Sequence, residues 1–151
     1  RAYTLRDYTS DAVLVGNTTA AAGTLGRANL TAQTGNIGAT TLLTSSANSS
    51  GMFRVSFYLK TTTAGSAGSL VKATVAYNDG AAQTADILLT NAIATPAAPA
   101  INHDLTINNN DSYGSAIVYA DASTAITFTT TGTYNTNPAY TLRARIEALG
   151  V

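Results

Sequence analysis

The stretch GMFRVSFYLKTTTAGSAG, residues 51–68, decides the fold. Phe53, Val55, Phe57 and Leu59 alternate with Arg54, Ser56, Tyr58 and Lys60. Successive side chains of a strand point to opposite sides, so the alternation predicts a strand over 53–60 with one core face and one wetter face. Gly51 before it and the TTTAGSAGS after it are turn and loop material.

The same period of two extends outward along the chain. Over 70–77, Val71, Ala73, Val75 and Tyr77 oppose Leu70, Lys72, Thr74 and Ala76. Asn78-Asp79-Gly80 then predicts a type I′ hairpin turn, which needs positive φ at both central residues. The returning strand is expected at Gln83–Leu89. Ile101–Ile107, Gly114–Ala120 and Ala125–Thr130 follow, the last two flanking the tight polar connection Asp121-Ala122-Ser123-Thr124. Tyr140–Leu149 places Tyr140, Leu142, Ala144, Ile146 and Ala148 on one face and Thr141, Arg143, Arg145 and Glu147 on the other. RARIEAL has helix-forming residues, but the alternation favours a strand. Ala12–Val15, Asn29–Thr34 and Thr40–Thr44 are further strand candidates. Gly16–Gly26 and Ala92–Ala100, the latter with Pro96 and Pro99, read as loops. Short strands every ~8–12 residues predict an all-β antiparallel sandwich or barrel.

The 151 residues suffice for one domain with a real core. Only 11% are charged, against ~25% in an average globular domain. Lys+Arg and Asp+Glu are both 8, so no long-range field steers the surface to nucleic acid or anionic lipid. Cysteine is absent, which excludes disulfides and thiolate metal sites. No apolar run is long enough for a transmembrane helix. The opening RAYTLRDYTS, with neither an initiator Met nor an apolar leader, is expected to result from processing or trimming. The many small β-residues leave little bulky apolar surface per strand, which points to stabilisation by oligomerisation.

The chemical inventory is sparse. His103 is the lone histidine, beside Asp104. A zinc site would need several carboxylates to join it, and the expectation is an ordinary surface or loop histidine. No G-x-S-x-G nucleophile motif occurs. Asp11, Asp79, Asp86, Asp104, Asp111 and Asp121 are scattered. Asn108-Asn109-Asn110-Asp111 has calcium-type oxygens but lacks the Gly and Glu of an EF-hand loop, so it reads as a turn. Glu147 is the lone glutamate and is expected to pair with Arg145. Tyr58, Tyr113, Tyr119, Tyr134 and Tyr140 offer either packing rings or a platform for sugars. N-x-S/T matches stand at Asn17, Asn29, Asn48 and Asn110. No catalytic, cofactor-binding or metal-ligating residue is assigned.

Three stretches carry a resemblance. They are ANLTAQTGNIGATTLLTSSANSSGMFRVSFYLKTTTAGSAGS (28–69), VAYNDGAAQTADI (75–87) and DASTAITFTTTGTYNTNPAYTLRARIEAL (121–149). Their order and spacing resemble a β-rich domain of tailed-bacteriophage and prophage virion structural proteins. Asn78 stands where Thr is commoner in that pattern, and the insert Leu89–Leu105 with its two prolines is less typical. The resemblance covers roughly 28–151 and implies a jelly-roll-like β-sandwich there, with residues 1–27 as an arm for assembly or attachment. It further implies a non-enzymatic component of the virion surface: a head decoration, neck or tail-fibre module without cofactor. The expected partners are copies of itself, as a trimer, and other virion proteins, with neither nucleic acid nor membrane. The alternatives are a module binding carbohydrate or a cell surface, with a host-surface glycan as ligand, and a subunit of a non-viral extracellular filament.

Overall fold

The computed structural model describes residues 24–44, 50–90, 93–95 and 98–150. Eleven strands carry the fold: β1 (Thr24–Gln33), β2 (Thr40–Leu43), β3 (Gly51–Thr63), β4 (Leu70–Asn78), β5 (Ala82–Asp86), β6 (Leu89–Thr90), β7 (Ile93–Thr95), β8 (Ala98–Asp104), β9 (Asp111–Ala120), β10 (Ile126–Thr133) and β11 (Ala139–Gly150). No helix occurs among the described residues.

The strands form two packed antiparallel sheets, ordered β1-β11-β3-β9-β6 and β2-β10-β4-β8-β7, with β5 attached to β4. The pairings are nested. β1 pairs with β11, β2 with β10, β3 with β9 and β4 with β8. One long antiparallel ribbon has thus been wound around a core, which is a jelly roll. The chain passes from sheet to sheet at nearly every connection, so Asp121–Thr124 is a corner between the sheets.

The alternation expected for 53–60 holds. Phe53, Val55, Phe57 and Leu59 are buried, as are Val71, Ala73 and Val75 opposite them and Tyr140, Leu142, Ala144 and Ile146 beside them. Phe57 of one sheet meets Phe128 of the other edge to face, ring centroids 5.3 Å apart. Two glycines close the flanks. A Cβ on Gly26 of β1 would collide with the Leu42 carbonyl of β2, and one on Gly114 of β9 with the Leu88 carbonyl.

Several expectations need correction. Thr24–Gly26, read as loop, belongs to β1, so the expected boundary between residues 27 and 28 falls inside a strand. The segment Ala92–Ala100, also read as loop, contributes β7 and the start of β8, with Pro99 inside β8. Gln83–Leu89 is not one strand. The chain leaves β4 after Asp86, and Leu89 pairs with Gly114 in the other sheet. β8 ends at Asp104, so Leu105–Ile107 is not strand. The β4–β5 hairpin forms, but not through a type I′ turn. Asn78 pairs with Ala82 around a three-residue loop in which Gly80 alone has positive φ, +102°. The Asn78 side chain accepts the Gly80 amide and shapes that loop. The candidate strand Ala12–Val15 lies outside the described residues.

Four connections gather at one pole: 34–39, 64–69, 105–110 and 134–138. The last three are bonded to one another, and 34–39 is bonded to β10 and β11 beside them. The Ser66 amide donates to the Asn135 carbonyl, the Gly65 amide to the Leu105 carbonyl and the Ala64 amide to the Asn108 side chain. The Thr/Gly/Ser loop after β3 is therefore knitted into a cap. At the opposite pole the head of β1 lies beside the tail of β11, Thr24 facing Glu147.

Candidate functional site

Beneath the cap, the core has a polar end. His103 is fully buried on β8, contrary to the expected surface or loop position. Its Nε2 lies 3.0 Å from the Thr61 hydroxyl and its Nδ1 2.8 Å from the Ser112 hydroxyl. Thr61 donates its own proton to the Asp104 carbonyl, 3.0 Å away. The Thr61 oxygen must therefore accept from Nε2–H, which leaves Nδ1 to accept from Ser112. Desolvation pushes the imidazole down to about 4, against the opposing charges of Asp104 and Asp111. A neutral ring thus ties β8 of one sheet to β3 and β9 of the other.

This is not a triad. The Ser112 hydroxyl is as buried as the imidazole and no substrate reaches it. The Asp104 carboxylate turns away to the Thr106 amide and hydroxyl, at 2.7 and 2.6 Å. Asn108–Asn110 forms the turn that was expected, with Asn109 left-handed at φ 59°, and Asp111 begins β9. Among the described residues no three His, Cys, Asp or Glu side chains gather as a metal site would require.

The tyrosines divide. Tyr134 and Tyr140 stack beneath the cap, centroids 6.2 Å apart. Ile37 donates its amide to Thr130, Thr130 donates to Tyr140, and Tyr140 to the Gly35 carbonyl, so this ring chain anchors the first cap loop. Burial raises both phenols. The Tyr134 hydroxyl is buried without a hydrogen-bond partner among the described residues. Tyr58, Tyr113 and Tyr119 instead face outward from the five-stranded sheet.

That outward face is the molecule's most distinctive surface. Of the six Lys and Arg among the described residues, five point from it: Arg27, Arg54, Lys60, Arg143 and Arg145, with Lys72 alone elsewhere. Glu147 sits among them, 3.2 Å from Arg145 as expected and 3.9 Å from Arg54. This ion cluster divides the face. Toward the pole of Thr24 and Gly150 lie Met52, Tyr119 and Leu149, with Met52 directly opposite Tyr119, and Ile117 borders them level with the cluster, opposite Arg54; the four are 42–56% exposed. From the cluster toward the cap run Arg27, level with Arg145, then Arg143 and Lys60, with Tyr58 facing Tyr113 across β3 and β9. Among the described residues none of these three cations has a carboxylate within ion-pair distance, although Asp111 stands opposite Lys60. Of the glycosylation-type asparagines, Asn29 is exposed on this face, Asn110 donates to the Asp104 carbonyl, and Asn17 and Asn48 lie outside the described residues.

No family model matches the chain, and no curated protein is significantly similar to it. Fold and surface define a jelly-roll sandwich with a divided, cation-bearing outer face.

Proposed function

We propose that the chain is a non-enzymatic structural module of a phage-like virion that acts by associating with copies of itself. The observation that carries this is the apolar end of the outer face. Met52, Ile117, Tyr119 and Leu149 leave four large side chains about half exposed in one place, and clustered exposed apolar surface marks an interaction site. Met52, Tyr119 and Leu149 lie beyond the ion cluster, and Ile117 borders it opposite Arg54, so the patch has an apolar centre and a charged rim, as interfaces do. The jelly roll recurs in viral capsid and lectin domains, an analogy of fold. The resemblance over 28–151 supplies the virion setting and the trimer.

The test is light scattering on the full chain over a wide concentration range. Three copies are expected, and Ile117→Lys, exposed and outside the core, should yield a folded monomer. A wild-type chain that stays monomeric at the highest concentration overturns self-association.

A further inference from the structure

We infer that the cap-side half of the outer face is a binding track for an acidic polysaccharide, centred on Arg143. Arg27, Arg143 and Lys60 lie on three adjacent strands, and the register places them on one diagonal. Arg27 faces Arg145, two residues from Arg143, and Lys60 faces Thr141, two residues on the other side. Diagonal neighbours of this kind are about 7–8 Å apart. Three cations outside any ion pair among the described residues thus span the sheet at near-regular intervals.

The surface between them is furrowed. A depression of ≈ 490 Å³ lies between Arg27 and Arg143, and one of ≈ 380 Å³ between Arg143 and Lys60. A third, of ≈ 180 Å³, opens beside Tyr58 toward Arg145. All three share Arg143. Tyr58 lines two of them, and Tyr113 stands next to it, 53% exposed.

The chemistry selects the ligand class. Guanidinium forks recognise carboxylate or sulfate oxygens through paired hydrogen bonds. Tyrosine gives an apolar face with a polar tip, suited to the C–H face and hydroxyls of a sugar ring. Asn29, Ser56, Ser115 and Thr141 add amides and hydroxyls on the same face. An extended acidic peptide fits less well, because Arg143 and Lys60 stand on β11 and β3, mid-sheet strands with no free backbone edge for β-augmentation. Nucleic acid fits less well because binding it calls for a strongly basic domain, and this chain has net charge zero.

The experiment is affinity electrophoresis and calorimetry of the full chain with polygalacturonate, dextran sulfate, neutral dextran and single-stranded DNA. Binding is expected to one or both acidic glycans, weakening with salt, and not to neutral dextran. Which of the two binds identifies carboxylate or sulfate as the recognised group. Arg143→Gln should bind about tenfold more weakly, as loss of a charge-assisted bond implies. Arg143→Lys should recover only part of that affinity, and Lys72→Ala on the opposite sheet should bind like the wild type. Absence of binding to both acidic glycans, insensitivity to Arg143→Gln, or equal or tighter binding of DNA through Arg143 overturns the inference. The same titrations on Ile117→Lys separate glycan binding from self-association, since the two sites occupy different ends of the face.

Discussion

The two outward faces of the sandwich share one backbone geometry and differ in chemistry. On the six-stranded sheet, Thr127, Thr129 and Thr131 of β10 stand opposite Ala76, Thr74 and Lys72 of β4. Among the described residues its one ion pair is self-contained. Lys72 reaches Asp86 at 2.9 Å and Thr74 donates to the same carboxylate at 2.6 Å. Burial would raise the Asp86 carboxyl, but the bonds from Thr74 and Lys72 outweigh it and hold the group below its ordinary value. Threonine is β-branched and fits a half-wet pleated surface without further partners. The threonine face shows that this fold needs no arginine or tyrosine outside. The five-stranded sheet carries them nonetheless, with three cations outside any ion pair among the described residues. That asymmetry is the argument for a working face.

Substitutions can break the comparison, beginning where both sheets should be equally sensitive. Phe57→Ala, at the edge-to-face contact with Phe128, should cost about 3–5 kcal/mol, and Ile146→Ala about 2–5. Denaturant melts in which Arg54→Ala costs more than either would mean that the faces of β3 and β11 are exchanged.

The next effect reports the polar link between the sheets. Folding pushes the His103 imidazole down from its ordinary 6.5 to about 4, because burial disfavours the charged ring. A base whose affinity for protons drops on folding contributes stability above the unfolded value, and that contribution is lost as pH falls toward the folded one. The loss between pH 6.5 and 4 should be about 3 kcal/mol. Urea midpoints followed across this window should fall, and His103→Gln should flatten the slope while lowering stability at neutral pH. A variant with the wild-type slope would remove His103 from this role.

The smallest effects belong to the outer charges. Lys72→Ala and Arg54→Ala each break an exposed pair and should change stability by about 0–1 kcal/mol. Thermal melts showing a larger loss for Arg54→Ala than for Lys72→Ala would make the cluster around Glu147 structural, and would weaken the distinction between the faces.

Much of this was legible in the sequence because a strand repeats every two residues. The inner and outer sides of β3, β4 and β11 follow from alternation alone. His103 carried a signal of the same kind. It shares parity with Ile101 and Leu105, an inward row, and its polar neighbours Asn102 and Asp104 masked that row. The passage from β5 to β6 left no mark, because Gln83–Leu89 reads as an unbroken run. Only Gly114, on a distant strand, makes room for the crossing carbonyl of Leu88. Pro96 and Pro99 hid β7 and the start of β8, since proline cannot donate to a ladder and argues against a strand. The diagonal of Arg27, Arg143 and Lys60 exists only once the register of three strands is known, so no spacing along the chain could disclose it.

The placement of β1 against β11 gives the molecule a mechanical direction. Thr24, at the head of β1, faces Glu147 near the tail of β11. A force that draws these two points apart acts along the hydrogen bonds and loads the ladder one rung at a time, so the edge strand peels as a zipper opens. A force that enters at Thr24 and leaves through the knitted loops at the far pole runs along the strands and strains many rungs together. The fold is thus compliant between the head of β1 and the tail of β11 and stiff from pole to pole.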